Sequence, residues 1–186
     1  MAIALLVLLL IFISNLAFGA AKIPLEEVTR AFFANEGSTE HLIIRTVRLP
    51  RSLIAMFVGA ALAVSGAIMQ GITGNPLASP TLLGVTAGAS LAVVVTTFVL
   101  QGVGLSLYVW FAFLGAAATA VTVYFLGSRG RGGLTPVKLI LAGAALTAFL
   151  SSLTNGILII SQQTLDEIRF WLAGSLAGRD LELFWQ

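Results

Sequence analysis

Three long stretches of the chain contain no Asp, Glu, Lys or Arg: residues 1–21, 52–128 and 139–165. A helix that crosses about 30 Å of hydrocarbon needs roughly 20 apolar residues. The first and last stretches are each long enough for one membrane span, and the 77 residues of the middle stretch fit three spans joined by short turns. The pattern therefore predicts an all-α polytopic membrane protein with about five transmembrane helices.

Clusters of glycine and proline at residues 71–76 and of glycine at 101–104 divide the middle stretch. Ser79 is expected to cap the third span, and Pro80 to occupy its first helical position, where the missing N–H costs nothing. Transmembrane helices two to five then fall within residues 52–161, at about 52–71, 81–100, 105–126 and 139–161.

Residues 1–21 are predicted to form the first transmembrane helix. Their small-residue end, Phe18 to Ala21, also resembles a signal-peptide cleavage site. A secretory signal has a basic region ahead of its apolar core, whereas here no Lys or Arg precedes Lys22. We therefore expect an uncleaved anchor, with a cleaved signal peptide as the alternative.

Residues 22–51 form the main aqueous segment, with nine formal charges and the single histidine, His41. Pro24 is followed by two glutamates in the first turn of a predicted helix, and three apolar residues share one of its faces: Leu25, Val28 and Phe32. The pattern predicts a short surface helix over 24–34 that lies at the membrane interface. Residues 162–186 are charged again and form a second aqueous segment.

Small residues recur four apart in the predicted spans, at Gly59, Ala63 and Ala67, at Gly84 and Gly88, and at Ala144 and Ala148. This spacing lets helix backbones approach closely in lipid, where apolar burial gives no drive to associate. The spacing therefore predicts a compact helix bundle. The alternative is that alanine and glycine recur only because they are common in membrane helices.

No Asp, Glu, Lys, Arg or His lies inside a proposed span, which argues against a proton relay or a membrane-embedded catalytic dyad. Any pathway must then be lined by neutral groups. In the fifth span, polar side chains step by three or four residues and share one face: Thr147, Ser151, Thr154 and Asn155. They are predicted to line the pathway, the alternative being that the hydroxyls bond to carbonyls of their own helix.

Composition excludes several other classes of site. Because the chain has no cysteine and one histidine, it offers no disulfide framework, thiolate metal site or multi-histidine cluster, and no cofactor is expected. The net charge of +2 comes without a basic face, so nucleic acid is not expected as a partner. The sequence contains no Gly-rich loop followed by Lys-Ser or Lys-Thr, the pattern that would indicate nucleotide binding.

Three arginines, Arg45, Arg48 and Arg51, precede the predicted second span. A helix N-terminus carries roughly half a positive charge, so cations there are unfavourable unless an anion faces them. We therefore expect an acidic group opposite these side chains. The alternative is that they reach lipid phosphates.

The run RLPRSLIAMFVGAALAVSGAIMQ at 48–70, followed by NPLASPTLLG at 75–84 and Gly88-Ala89, closely resembles the FecCD family. These are the permeases of type II ABC importers for ferric siderophores, haem and vitamin B12. Further matches are Leu141-Ala-Gly143 and the run FWLAGSLAG at 170–178. The resemblance extends over essentially the whole chain from Pro24 onward.

The resemblance implies a ten-helix permease subunit in the bacterial cytoplasmic membrane, of which this chain holds the first half. Such a subunit pairs with a second permease subunit around a central pathway. Cytoplasmic ATPase subunits lie below it, and a periplasmic or lipid-anchored binding protein docks above. The resemblance also implies that a chain of this length does not transport alone.

The family's functional residues carry over position by position. Arg48 and Arg51 fall on an arginine pair at the outer mouth, which receives acidic side chains of the docked binding protein. The family's two-part cytoplasmic gate matches Asn75 and Leu77, between the second and third helices, and Pro136 and Val137, where the fourth and fifth meet. At the last two positions the best-known vitamin B12 permease has small hydroxyl residues.

Charge counting disagrees with the orientation that the family implies. With the N-terminus inside, the cytoplasmic loops contain three Lys or Arg and the outer segments seven, which is the reverse of the positive-inside bias. We favour the family orientation because the outer segments also hold all eight acidic residues. The loop 127–138, with Arg129, Arg131 and Lys138 and no acid, is then cytoplasmic.

The expected function is that of a permease subunit in an ATP-driven importer, with ATP hydrolysed on a separate subunit. Ferric siderophore is chosen as the cargo because it is the commonest cargo of this family, and cobalamin or haem is the alternative. A non-transporting membrane scaffold is the hypothesis from a different class. A membrane enzyme is disfavoured because no constellation of acid, base and nucleophile is present.

The predicted orientation can be tested by thiol labelling, since the chain has no cysteine of its own. In intact cells, Arg131→Cys should be shielded from a membrane-impermeant thiol reagent and should react once the membrane is permeabilised. Labelling of equal extent before and after permeabilisation would refute the topology.

Overall fold

A computed structural model describes residues 2–19, 21–33, 37–76, 78–100, 102, 104–129, 133 and 135–176. Within these ranges the regular secondary structure is helical and no strand occurs, so the all-α prediction is confirmed. Residues up to Ala61 form one compact unit, and Leu62–Ser175 form a second.

The helices are numbered in chain order. The first part of the chain contains α1 Ala2–Ala17, α2 Leu25–Phe33, α3 Thr39–Leu42, a π-helical turn Ile43–Arg48 and α4 Leu49–Thr73. The remainder contains a 3-10 turn Pro80–Leu83, α5 Val85–Leu100, α6 Leu105–Ser128, α7 Pro136–Ile160 and α8 Gln162–Leu172.

Five apolar helices lie where the sequence predicts five spans. Three are long and apolar enough to cross a membrane by themselves: Thr39–Thr73, Ser106–Ser128 and Pro136–Ile160. The other two, α1 and α5, are equally apolar but only 16 residues long. Large side chains of α6 such as Trp110 and Phe113 are 68% and 66% exposed, as expected for a surface that faces lipid.

The helix that contains the second span begins at Thr39 and not near residue 52. The Ser38 hydroxyl accepts a hydrogen bond from the His41 N–H, and the helix then continues for 35 residues to Thr73. A helix of this length is about 52 Å long, so roughly 20 Å of it extends beyond a 30 Å hydrocarbon layer. The three arginines therefore lie inside a helix, and the premise that they sit at a helix N-terminus is wrong.

A small apolar core organises the first unit. It joins the end of α1 to α2 and to the π-helical turn through Leu16, Ala17, Ile23, Val28, Ala31 and Ile44. Polar contacts support this core, because the fully buried His41 places Nε2 3.1 Å from Glu27 Oε2 and so ties α3 to α2.

The surface helix α2 lies within the predicted range 24–34, but its buried side differs from the predicted face. Val28 and Ala31 are buried, whereas Leu25 and Phe32 remain 57% and 43% exposed. The small Ala31 side chain lets α2 pack closely on this core, which turns the larger apolar residues outward. The position of α2 at a membrane interface stays a prediction.

The third span starts differently from the prediction. Pro80 does take the first helical position, but it opens a 3-10 turn, and the Ser79 side chain makes no capping hydrogen bond. Gly84 ends this turn with φ of 69°, a conformation that residues with a Cβ rarely adopt. The continuous helix α5 therefore begins only at Val85.

In the second unit, α5 packs against α6, α7 and α8. The backbones of α5 and α6 approach each other closely, because a Cβ added to Gly88 would overlap Thr119 Oγ1, and one added to Gly115 would overlap the Gly88 carbonyl. Of the predicted small-residue steps, the one from Gly84 to Gly88 is thus used for helix packing. A Cβ on Gly59 would meet no described atom within 4 Å.

The segment after the fifth span, predicted only as aqueous, contains the helix α8. Ile168 packs with Val93 and Val94 of α5, and the Tyr108 hydroxyl donates a hydrogen bond of 2.7 Å to Glu167 Oε1. The amphipathic sequence of α8 explains this packing, since its apolar residues can be buried while its charged residues stay outside.

Gly88→Ala should lower the free energy of unfolding by about 1–3 kcal/mol, because the added methyl group must force α5 and α6 apart. Gly59→Ala is the matched control, also a glycine inside a helix, and should leave stability unchanged or slightly higher. Unfolding of the detergent-solubilised protein measures both. Equal losses at the two positions would contradict the close packing of α5 on α6.

Candidate functional site

The Arg48 guanidinium lies against the C-terminal end of α1. Its Nη1 donates to the Leu16 and Ala17 carbonyls at 2.7 and 2.9 Å, and its Nη2 donates to the Ala21 carbonyl. A helix C-terminus carries roughly half a negative charge, so these carbonyls supply the counter-charge that the sequence analysis expected from an acid. Arg48 is 8% exposed.

The neighbouring arginines have different surroundings. Arg45 Nε donates a hydrogen bond of 2.7 Å to the Ala31 carbonyl in the last turn of α2, while the rest of its side chain is exposed. Arg51 is exposed and makes no hydrogen bond or ion pair with any described residue. The predicted docking pair thus consists of one buried and one accessible cation, and docking itself stays a prediction.

All four residues predicted to line a pathway lie on one cavity of about 400 Å³ within the second unit. The cavity is bounded by α5 and α7, with Leu172 from α8 at its edge. The structure adds three polar residues from the other side that the sequence analysis missed: Thr81, Thr86 and Ser90. The spacing of Thr86 and Ser90, four apart on one helix face, was the available signal.

Most serine and threonine hydroxyls in α5, α6 and α7 fall into two groups. Most donate to the carbonyl four residues earlier in their own helix, as polar groups in lipid must: Thr96, Thr97, Thr119, Thr122, Ser152 and Thr154. Four hydroxyls of α5 and α7 that line the cavity make no such bond with the described residues: Thr86, Ser90, Thr147 and Ser151.

The polar face of α7 was predicted either to line a pathway or to bond to carbonyls of its own helix, and its residues divide between the two. Thr154 is buried and its hydroxyl donates to the Leu150 carbonyl, as the second alternative expects. Thr147, Ser151 and the exposed Asn155 instead leave their polar atoms available to a ligand or to water. The named lining residues carry no charge, so the cavity can recognise a molecule by hydrogen bonds but not by ion pairs.

A second, narrow cleft joins two of the predicted gate residues. Asn75, just after α4, and Pro136, at the start of α7, both line a space of about 20 Å³, together with Met69, Thr73, Leu82 and Leu139. A space of this size holds about one water molecule. Gln70 Nε2 donates a 2.7 Å hydrogen bond to the Pro76 carbonyl and fastens the adjoining turn.

The other two predicted gate residues do not add to this cleft. Val137 is 65% exposed and is not part of its described lining, and Leu77 lies outside the described residues. The structure therefore brings one residue of each gate segment together, and their role as a gate stays a prediction.

The FecCD transport family matches residues 6–186. The chain belongs to this family. It is 48% identical over 177 residues to the Bacillus subtilis protein named probable siderophore transport system permease YfiZ, which covers 95% of this chain and 53% of that protein. It is 43% identical over 177 residues to the ferric enterobactin transport system permease FepD of Escherichia coli, again covering 95% and 53%.

A solved structure, described as an inward-facing conformation of a metal-chelate type ABC transporter, is similar with a TM-score of 0.72 and 30% identity. The similarity covers 95% of this chain and 53% of the solved chain. The chain thus spans about half the length of the relatives it matches and has the fold of a multi-pass ABC transporter permease.

Proposed function

We propose that this chain is the first half of a permease subunit that imports ferric siderophores across the bacterial cytoplasmic membrane. The observation that carries the proposal is the uncharged cavity between α5 and α7, where Thr86, Ser90, Thr147 and Ser151 make no hydrogen bond to the backbone of their own helix. The names of the relatives support an iron chelate as cargo, since they include siderophore, ferric enterobactin and ferric citrate permeases.

The proposed assembly follows from the family. A second permease subunit completes the pathway, and cytoplasmic ATPase subunits supply the energy, so this chain is itself no enzyme. A periplasmic or lipid-anchored binding protein delivers the chelate to the outer surface, where Arg51 is accessible. Membrane lipid surrounds the apolar outer faces of the helices.

The chemistry of the cavity suits passage rather than storage. A hydrogen bond adds about 0.5–1.5 kcal/mol net, so Thr86, Ser90, Thr147, Ser151 and Asn155 together contribute about 2.5–7.5 kcal/mol. The loss of translational and rotational freedom on binding costs about 4–15 kcal/mol, so these bonds by themselves hold a molecule only weakly. A chelate held this weakly is oriented and then released, as transport requires, because conduction needs weak binding along the path.

We further propose that the narrow cleft at Asn75 and Pro136 is part of the cytoplasmic gate, together with Leu77 and Val137. The size of this cleft supports the proposal, since a space for about one water is too small for a ferric chelate. On this proposal, the turn after α4 and the start of α7 separate when the gate opens.

Uptake of radioactive iron, supplied as a panel of ferric chelates, tests the function. Cells lacking the complete gene should lose uptake of one chelate class and regain it when the gene is restored. Equal uptake of every iron chelate in both strains would refute an iron cargo, and labelled cobalamin and haem would then separate another cargo from a non-transporting scaffold.

Two neighbouring serines on α7 test the cavity. Ser151→Ala removes a hydroxyl that faces the cavity and should reduce uptake by about fivefold, the effect of roughly 1 kcal/mol. Ser152→Ala removes a hydroxyl already bonded to the Ala148 carbonyl and should leave uptake nearly unchanged. Both variants of the whole transporter are compared at equal amounts in the membrane. Equal effects would count against a cavity that contacts the cargo.

A further inference from the structure

We propose that Gly143 of α7 is a positioning residue of the transporter, because it fixes the 3-10 turn Pro80–Leu83 to α7. The 3-10 turn then moves together with α7, and the narrow cleft opens between this pair and the end of α4. This assignment rests on the proposed function, since it concerns the opening of that importer's gate.

The backbone of the 3-10 turn lies directly on α7 at Gly143. A Cβ added to Gly143 would overlap the Leu82 carbonyl oxygen and would lie 3.1 Å from the Leu83 Cα. Both atoms belong to the backbone, which cannot rotate away as the end of a side chain can. Gly143 is buried, so the 3-10 turn covers α7 at this point. Only a residue without a Cβ allows this approach.

A second contact fixes the end of the 3-10 turn one helical turn further along α7. A Cβ added to Gly84 would lie 2.9 Å from Thr147 Oγ1 and 3.4 Å from the Gly143 carbonyl oxygen. Gly143 and Thr147 are four residues apart and therefore lie on one face of α7. The next residue, Val85, already begins α5, which packs on α7 as well. The 3-10 turn is thus held by α7 along its length.

The chain ahead of the 3-10 turn is attached to α4 instead. Gln70 Nε2, in the last turns of α4, donates a 2.7 Å hydrogen bond to the Pro76 carbonyl. The Ser79 side chain makes no capping hydrogen bond to the 3-10 turn. The chain therefore changes its attachment from α4 to α7 between Pro76 and Pro80, and a relative movement of the two helices is taken up there.

The 3-10 turn contributes to both spaces of the second unit. Leu82 and Leu83 line the narrow cleft, whereas Thr81 lines the cavity of about 400 Å³. If the 3-10 turn left α7 whenever the cleft opened, Thr81 would leave the cavity wall at the same time. The contact at Gly143 instead lets the cleft widen while Thr81 and Thr147 stay together in the wall.

Two glycines of α7 provide a matched pair of variants. Gly143→Ala places a methyl group against the Leu82 carbonyl, whereas a Cβ added to Gly156 would meet no described atom within 4 Å. The complete transporter, with its ATPase subunits and binding protein, is reconstituted in proteoliposomes. ATP hydrolysis is measured together with the accumulation of radioactive iron, supplied as the chelate whose uptake the gene restores.

Gly143→Ala should raise the number of ATP molecules hydrolysed per iron imported by about fivefold, because overpacking displaces the 3-10 turn and the cleft no longer closes. Gly156→Ala should keep the ratio of the unaltered transporter. This ratio separates positioning from stability, since a loss of folded protein lowers hydrolysis and uptake in proportion.

An unchanged ratio in Gly143→Ala overturns the assignment, whether uptake is normal or reduced. An equal increase at Gly143 and Gly156 overturns it as well. If the unaltered transporter accumulates no chelated iron, the proposed function itself fails, and the assignment falls with it.

Cross-linking with Gly143 unchanged covers the case in which Gly143→Ala does not fold. Cysteine pairs are placed in the lining of the cleft, in a complete permease without other cysteines, and joined by a short thiol-specific reagent. Uptake is compared before and after cross-linking. Leu83→Cys with Ile140→Cys ties the 3-10 turn to α7 and should leave uptake at its level before cross-linking. Met69→Cys with Ile140→Cys ties α4 to α7 and should abolish uptake.

The two cysteine pairs also separate the two ways in which the assignment fails. Loss of uptake on tying the 3-10 turn to α7 would show that the two part during transport, which overturns the role of Gly143. Uptake that survives tying α4 to α7 would refute the cleft as a gate, and with it the part of the proposed function on which the assignment rests.

Discussion

Hydrocarbon supplies no hydrogen bonds, so every polar group at membrane depth has to find its partner inside the protein. In this chain the helix backbone fills that role for most hydroxyls, for example Thr97, which bonds to the Val93 carbonyl. Exceptions are then informative, because an unbonded hydroxyl is tolerated only where water or a polar cargo can reach it. Ser151 and Ser152 are adjacent in sequence but differ in this respect. The Ser152 hydroxyl bonds to the Ala148 carbonyl, whereas the unbonded Ser151 hydroxyl lines the cavity of about 400 Å³.

The same constraint acts at helix ends. The last carbonyls of a helix have no partner within it, and at the end of α1 a single guanidinium satisfies carbonyls of Leu16 and Ala17. The arrangement explains why a buried cation near a membrane needs no carboxylate. It also explains Gly19, since a larger residue there would displace the guanidinium.

Close backbone approach at Gly88 and Gly115 serves a different purpose, because it lets van der Waals packing hold α5 to α6 where apolar burial cannot.

Charge-free stretches were sufficient to predict the number, order and approximate limits of the apolar helices, because the cost of burying a charge is large and local. The start of the helix Thr39–Thr73, which contains the second span, could not be predicted in the same way. Outside the hydrocarbon a helix tolerates charges, so the residues between Thr39 and Arg51 carried no signal that separates helix from loop. The hydrogen-bond partners of Arg48 could not be predicted either, since they are backbone carbonyls about 30 positions earlier in the chain and have no sequence signature. The polar face of α7 could be predicted because its residues repeat with helical spacing. The sequence does not show that the Thr154 hydroxyl already donates to the Leu150 carbonyl.

The π-helical turn Ile43–Arg48 has a consequence for how this chain responds to a deletion. Its hydrogen bonds step over five residues where an α-helix steps over four, so it holds one residue more than an ordinary turn. Loss of one residue there would let the whole segment continue as an α-helix, and the parts on either side would keep nearly the same rotation about the helix axis, because the wider turn had absorbed the extra residue. The spans inside the membrane would keep their register, while side chains within the turn, Arg45 among them, would change direction. A single-codon deletion would thus alter the contacts of this turn without touching the membrane-embedded helices.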